Sequence, residues 1–175
     1  MNPVLIAGVG NIFHGDDGFG VRVAERLAEC ELPAGVDVRD FGIRGLDLAY
    51  ALTGGYRLVV IVDTVQRGEA HGTLYVIEPE MAKDDVRDGG ALSPHEMDPA
   101  RVLRLARLLG GECAQVLLVG CEPATFGDPV EGFIGLSSEV EKAVDPATAM
   151  VTRLAADWLQ RMPAAAGNAL EERIQ

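Results

Sequence analysis

The chain has 175 residues, 48% of them hydrophobic, which is enough for one domain around a single buried core. Its formal net charge of −12 argues against a nucleic-acid partner, because phosphate binding calls for a basic face. The longest apolar runs, residues 58–62 and 116–119, fall far short of the ~20 residues that a membrane span requires. No basic segment leads into a long apolar one near Met1, and Cys30, Cys113 and Cys121 show no CxxC spacing. These features are those of a cytoplasmic protein with reduced, buried thiols. Cys121 ends an apolar strand, which favours a packed thiol over a nucleophile.

Residues 3–8 read as a buried strand and residues 19–30 as an amphipathic helix, with Val21, Ala24, Leu27 and Ala28 inward and Arg22, Glu25, Arg26 and Glu29 outward. Between them lies a glycine-rich loop of a kind that often binds phosphate. A dinucleotide fingerprint needs a third glycine three residues after Gly10, and that position is Phe13. A phosphate-cradling Walker loop ends in Gly-Lys-Ser/Thr, whereas this one carries Asp16 and Asp17. Two carboxylates beside a helix start repel phosphate and favour a cation.

Residues 36–41 alternate as a half-buried strand does, and residues 46–52 form a short helix closed by Thr53-Gly54-Gly55. The run 57–63 is apolar almost throughout, the mark of a parallel strand covered on both faces, and it ends at Asp63. Residues 72–77 alternate after a turn and suit an edge strand, with antiparallel pairing open to it. A polar segment, 78–90, leads to Ser93-Pro94-His95 and a helix over 99–109, with either Ser93 or Asp98 as cap. Residues 115–121 are the last core strand. Residues 137–162 are helical, with a break expected near Asp145-Pro146 and Trp158 as an anchor to the core. The tail 163–175 reads as weakly ordered, leaving one domain over 1–162. Strands alternating with helices predict a mixed, mostly parallel sheet with helices on both faces, and a functional crevice beyond the carboxyl ends of the strands.

Asp16, Asp17 and Asp63 all emerge at that edge, and His95 joins them if its loop returns there. Two carboxylates and an imidazole suit a borderline divalent metal such as nickel, zinc or manganese. Each residue also has an ordinary explanation: a cap or turn former for Asp63, a first-turn carboxylate for Asp17, a surface turn for His95. His14 is a lesser candidate, with Ile12 and Phe13 expected to pack around it, and His71 reads as a solvated turn residue.

Taken in order, Gly8-Val9-Gly10-Asn11, Asp16-Asp17-Gly18-Phe19-Gly20, Val62-Asp63, Ser93-Pro94-His95, Val119-Gly120-Cys121-Glu122-Pro123 and Gly135-Leu136-Ser137 resemble the maturation endopeptidases of nickel-iron hydrogenases. The match runs to about Trp158. The resemblance implies a three-layer α/β/α fold with a twisted, mostly parallel (mixed) sheet of about five strands. It also implies an aspartic-type, nickel-recognising endopeptidase that removes the C-terminal extension of the hydrogenase large-subunit precursor after nickel insertion. Asp17, Asp63 and His95 match the metal ligands, nickel arrives with the precursor, and Asp16, unligated, is the nearest candidate for proton transfer. This chain departs from many relatives in having Phe41-Gly42-Ile43-Arg44-Gly45 where they have Gly-Thr. Arg44 there pairs with a substrate carboxylate or with Asp40 and Asp47. Aspartate at position 17 replaces a frequent glutamate, so Asp16 becomes a competing ligand. Two other readings stand beside it: a non-cleaving, nickel-sensing assembly chaperone, and a nucleotide-binding α/β enzyme.

Overall fold

The computed structural model describes residues 2–79, 99–111, 115–128 and 130–162. Strands β1 (Val4–Val9), β2 (Val36–Gly42), β3 (Leu58–Thr64), β4 (Leu74–Ile77) and β5 (Gln115–Cys121) form one sheet in the order β2-β1-β3-β5-β4. All pairings are parallel except that of β4 with β5, the antiparallel edge strand expected from its alternation. Helices α1 (Phe19–Ala28), α2 (Gly45–Leu52), α3 (Pro99–Leu108) and α4 (Ser138–Arg161) supply the outer layers.

Side chains alternate across a strand, so a strand covered on both faces is apolar at every position. Val4 and Ile6 of β1, with Val60 and Val62 of β3, join Phe19, Val23 and Leu27 of α1 and Val144, Ala147 and Val151 of α4 in one core. Leu5, Ala7 and Val9, with Val59 and Ile61, pack on the other face with Leu48 and Leu52 of α2 and Val102, Leu103 and Ala106 of α3. Full burial of a Val, Leu, Ile or Phe side chain in these cores contributes about 1.5–3 kcal/mol relative to exposure.

Helix α4 is continuous over 24 residues and carries Pro146 inside it. The break expected there is absent. Proline removes one ladder bond at a cost of about 3 kcal/mol. Val140, Ala143 and Val144 before it, and Ala147, Val151 and Ala155 after it, are buried on one stripe, and that packing offsets the loss. Trp158 does anchor the helix: its Nε1–H donates to Gln115 Oε1 (3.1 Å), and the Arg57 guanidinium lies 6.0 Å from its ring centroid. Cys121 is buried as expected, but Cys30, just beyond α1, is exposed. Cys113, the segment from 80 to 98 with His95 and both possible caps of α3, and the tail 163–175 lie outside the described residues. Among the described residues no helix is long and apolar enough to cross a membrane.

From β1 the chain crosses to β2 on one side and then returns to β3 on the other. The switch point therefore falls between the carboxyl ends of β1 and β3, where a crevice opens in an α/β sheet. Asp17 follows β1 and Asp63 is the penultimate residue of β3.

Candidate active site

Close backbone approach brings the two carboxylate loops together. Gly20, in the first turn of α1, sits on the carbonyls of Val9 and Val62, and any Cβ there would collide with both. The start of α1 thus rests on the ends of β1 and β3 at once. Gly10 has φ 128°, a conformation disfavoured for L side chains, and a Cβ on it would strike the Asp17 carbonyl. The glycines of the phosphate-like motif accordingly serve loop and helix packing around the acidic pair.

A single 3-10 turn, Gly15–Gly18, carries both aspartates, and their environments differ sharply. Asp16 is fully buried. Its Oδ2 accepts from Ala124 N–H (2.7 Å), Thr125 N–H (2.9 Å) and the Ser137 hydroxyl (3.0 Å), while Oδ1 accepts from Ser137 N–H (2.6 Å). Asp17 is half-buried, and among the described residues only Asn11 N–H donates to it, at Oδ2 (2.8 Å).

Asp63 is 9% exposed and accepts one bond from the described residues, Thr64 N–H to Oδ1 (2.7 Å). Burial pushes its carboxyl up to about 8, partly countered by the Thr64 bond and reinforced by the charge of Asp17. Asp17 and Asp63 are thus electrostatic neighbours, each with an oxygen that no described donor occupies. A buried carboxyl beside a like charge is relieved by a cation, and these two carboxylates are the residues that could share one, although among the described residues no group of three such donors comes together. Asp16 does not share that character. Four donors occupy it, which leaves the proton-transfer and competing-ligand roles expected of it without geometric support.

Glu122, just beyond β5, is a second buried anion at this edge and is 4% exposed. It accepts from Arg67 N–H (2.8 Å), Gly68 N–H (3.0 Å) and the Tyr75 hydroxyl (2.6 Å). The Tyr75 bond and the backbone donors hold its carboxyl below the ordinary range. Neither Glu122 nor Ser137 had been given a role by sequence reading. A serine just before a helix, and an acid one step past a core strand, are the available signals.

The remaining candidates sit elsewhere in the chemistry. Desolvation, with the charges of Asp16 and Glu122, pushes the Cys121 thiol up to about 12, which keeps it protonated and unreactive at neutral pH. His14 is exposed and forms a backbone bridge with Phe133; Ile12 and Phe13 are 46% and 58% exposed, so they do not pack around it as expected. His71, read as solvated, places Nδ1 2.9 Å from the Pro123 carbonyl. Arg44 braces its own turn by donating to the Asp40 (2.6 Å) and Phe41 (3.1 Å) carbonyls, with Asp47 3.9 Å away. Around this edge Ile12, Phe13, Ile43, Phe126, Phe133 and Ile134 expose apolar side chains.

Fold and site together define an α/β/α protein with two neighbouring carboxylates at the switch point of its sheet. A family model described as hydrogenase maturation protease matches residues 21–154. The hydrogenase 2 maturation protease of Escherichia coli K12 is 31% identical over 149 residues, covering 85% of this chain and 87% of that protein. The hydrogenase expression/formation protein HupD of Rhodobacter capsulatus is 37% identical over 129 residues, which cover 71% of this chain and 59% of that protein's length. The solved hydrogenase maturating endopeptidase HybD from E. coli superposes with a TM-score of 0.71 at 28% identity, covering 89% of this chain and 93% of that one. The chain belongs to the hydrogenase maturation protease family. Its reaction class is peptide-bond hydrolysis.

Proposed function

We propose that this protein is the endopeptidase that removes the C-terminal extension of a nickel-iron hydrogenase large-subunit precursor. The precursor's own nickel is the recognition element, with Asp17, Asp63 and His95 as its ligands on the protease. One observation carries the reading: in a chain that the hydrogenase maturation protease model matches over residues 21–154, the nearly buried Asp63 carboxyl, with one described donor, lies beside Asp17 at the switch point. Without nickel Asp63 holds its proton near neutral pH. Seating the precursor draws that proton off, so docking is coupled to proton release. Nickel so held supplies Lewis acidity toward the scissile carbonyl or a bound water.

The exposed apolar side chains of the loops after β1, β2 and β5 provide a surface beside the carboxylates for the precursor to rest on. The site of action is cytoplasmic in this reading. Nickel-loaded and nickel-free precursor, incubated with the wild-type chain and with Asp17→Ala, Asp63→Asn and His95→Ala, test it by the mass of the large subunit. The expected result is a mass loss only for loaded precursor with the wild-type chain. A stable complex with no mass loss makes the protein a chaperone, and normal cleavage by the variants removes the metal site.

A further inference from the structure

For Asp17 and Asp63 to act on one ion they must keep a fixed separation; the sheet ladder holds Asp63 within β3, but Asp17 lies in the 3-10 turn beyond β1, outside that ladder. The four residues 122–125, directly after β5, are bonded to both loops. On one side the Glu122 carboxylate receives Arg67 and Gly68 N–H (2.8 and 3.0 Å) from the loop that follows Asp63. Val65 N–H adds a bond to the Cys121 carbonyl (2.9 Å), and the Tyr75 hydroxyl (2.6 Å) ties the same carboxylate to β4. On the other side Ala124 and Thr125 N–H donate to Asp16 Oδ2 (2.7 and 2.9 Å), and Asp16 N–H returns a bond to the Thr125 carbonyl (3.0 Å). Ser137, the cap of α4, closes the arrangement on Asp16 through both its amide and its hydroxyl.

We propose that Asp16 and Glu122 are positioning residues, which through residues 122–125 set the separation of Asp17 and Asp63. The inference rests on the reading above that this pair holds the precursor's nickel. Hydrogen bonds to a carboxylate are shorter and stronger than neutral ones, and buried carboxylates cannot slip to a new partner without leaving charge unpaired. Both anions are almost wholly buried, so water offers no substitute. A displaced Asp16 carries the adjacent Asp17 with it, and a displaced Glu122 frees the chain that runs on from Asp63.

The test compares full-length Asp16→Asn and Glu122→Gln with the wild type, and Ser137→Ala as a milder change that keeps the amide. In Asp16→Asn, an NH2 group faces backbone N–H donors. Two readouts are taken on protein shown folded by cooperative melting: calorimetric binding of nickel chloride alone, and kcat and KM on nickel-loaded precursor. Expected are a Kd for nickel raised ~10–100-fold at unchanged stoichiometry and a comparable fall in kcat with a smaller change in KM. Ser137→Ala moves both in the same sense by roughly 3–10-fold. A merely structural role lowers the folded fraction, and with it the stoichiometry, without moving the Kd. Folded Asp16→Asn with wild-type Kd and kcat overturns the proposal; if that variant does not fold, the same result for Ser137→Ala and Glu122→Gln does so. A wild-type chain that cleaves loaded precursor but takes up no nickel chloride shows that the ion is held only when the precursor brings it, and the kcat values of the variants on loaded precursor then decide the positioning role.

Discussion

Adjacent in the chain, Asp16 and Asp17 occupy opposite physical situations. Asp16 is fully buried with four donors, whereas Asp17 is half-buried with one described donor and shares its neighbourhood with Asp63. The same division separates Glu122 from Asp63. Glu122 is held below the ordinary carboxyl range by its donors; Asp63, with little more exposure, is driven up to about 8. Burial is common to both, so burial alone does not mark a reactive acid. What separates them is the supply of hydrogen-bond donors, and where donors are missing the charge is left for a ligand.

That contrast breaks first if the under-bonded pair proves dispensable. Asp17→Ala and Asp63→Asn are each expected to lower the cleavage rate of nickel-loaded precursor by about 10³-fold, read by mass spectrometry of the large subunit. Stability responds in the opposite order. Asp16→Ala takes the carboxylate from the part-buried amides of Ala124, Thr125 and Ser137 and from the Ser137 hydroxyl, and should cost ~1–3 kcal/mol in urea unfolding. A loss below 1 kcal/mol would return Asp16 to the candidate acids.

Asp63 provides the third test, because its carboxyl is raised from 3.8 to about 8. Below about pH 4 it is protonated in both folded and unfolded chains, and its contribution is fully present. As pH rises from 4 toward 8 the unfolded chain releases the proton while the folded chain keeps it, so stability falls through that window and levels off above it. Asp63→Asn should flatten this slope and raise the melting temperature at pH 7 by ~5 °C while activity is lost. A slope that persists unchanged in the variant assigns it to other groups. The smallest effect is expected at the apolar rim: Phe133→Ser should raise KM for precursor ~3–10-fold at nearly constant kcat. An unchanged KM would show that the precursor does not rest there.

The elements were legible in the sequence because their signals are local. Continuous apolar runs at 4–7 and 58–62 require cover on both faces, and α1 follows from 3.6-residue spacing. Alternation in β4 gave an edge strand, and it is the antiparallel one. Pro146 misled because its local cost is visible in sequence, while the buried stripe on both sides of it is a tertiary term. Ile12 and Phe13 misled for a related reason: apolar character does not say whether a loop turns inward, and here their loop is held by backbone bonds to Phe133 and Thr125. At the site, Asp17 and Asp63 could be placed on one edge from strand order alone, but their separate fates could not.

By itself the sequence determined the alternation of strands and helices, the acid-bearing loop in place of a phosphate loop and, through several motifs in order, the protease family. Only the tertiary structure decided which acid is which. Donors to Asp16 come from residues 108 to 121 positions away, and those to Glu122 from 47 to 55 away. Carboxylates of one residue type are distinguished by the amides that surround them, and those amides are gathered by the packing of α1 and α4 on the sheet.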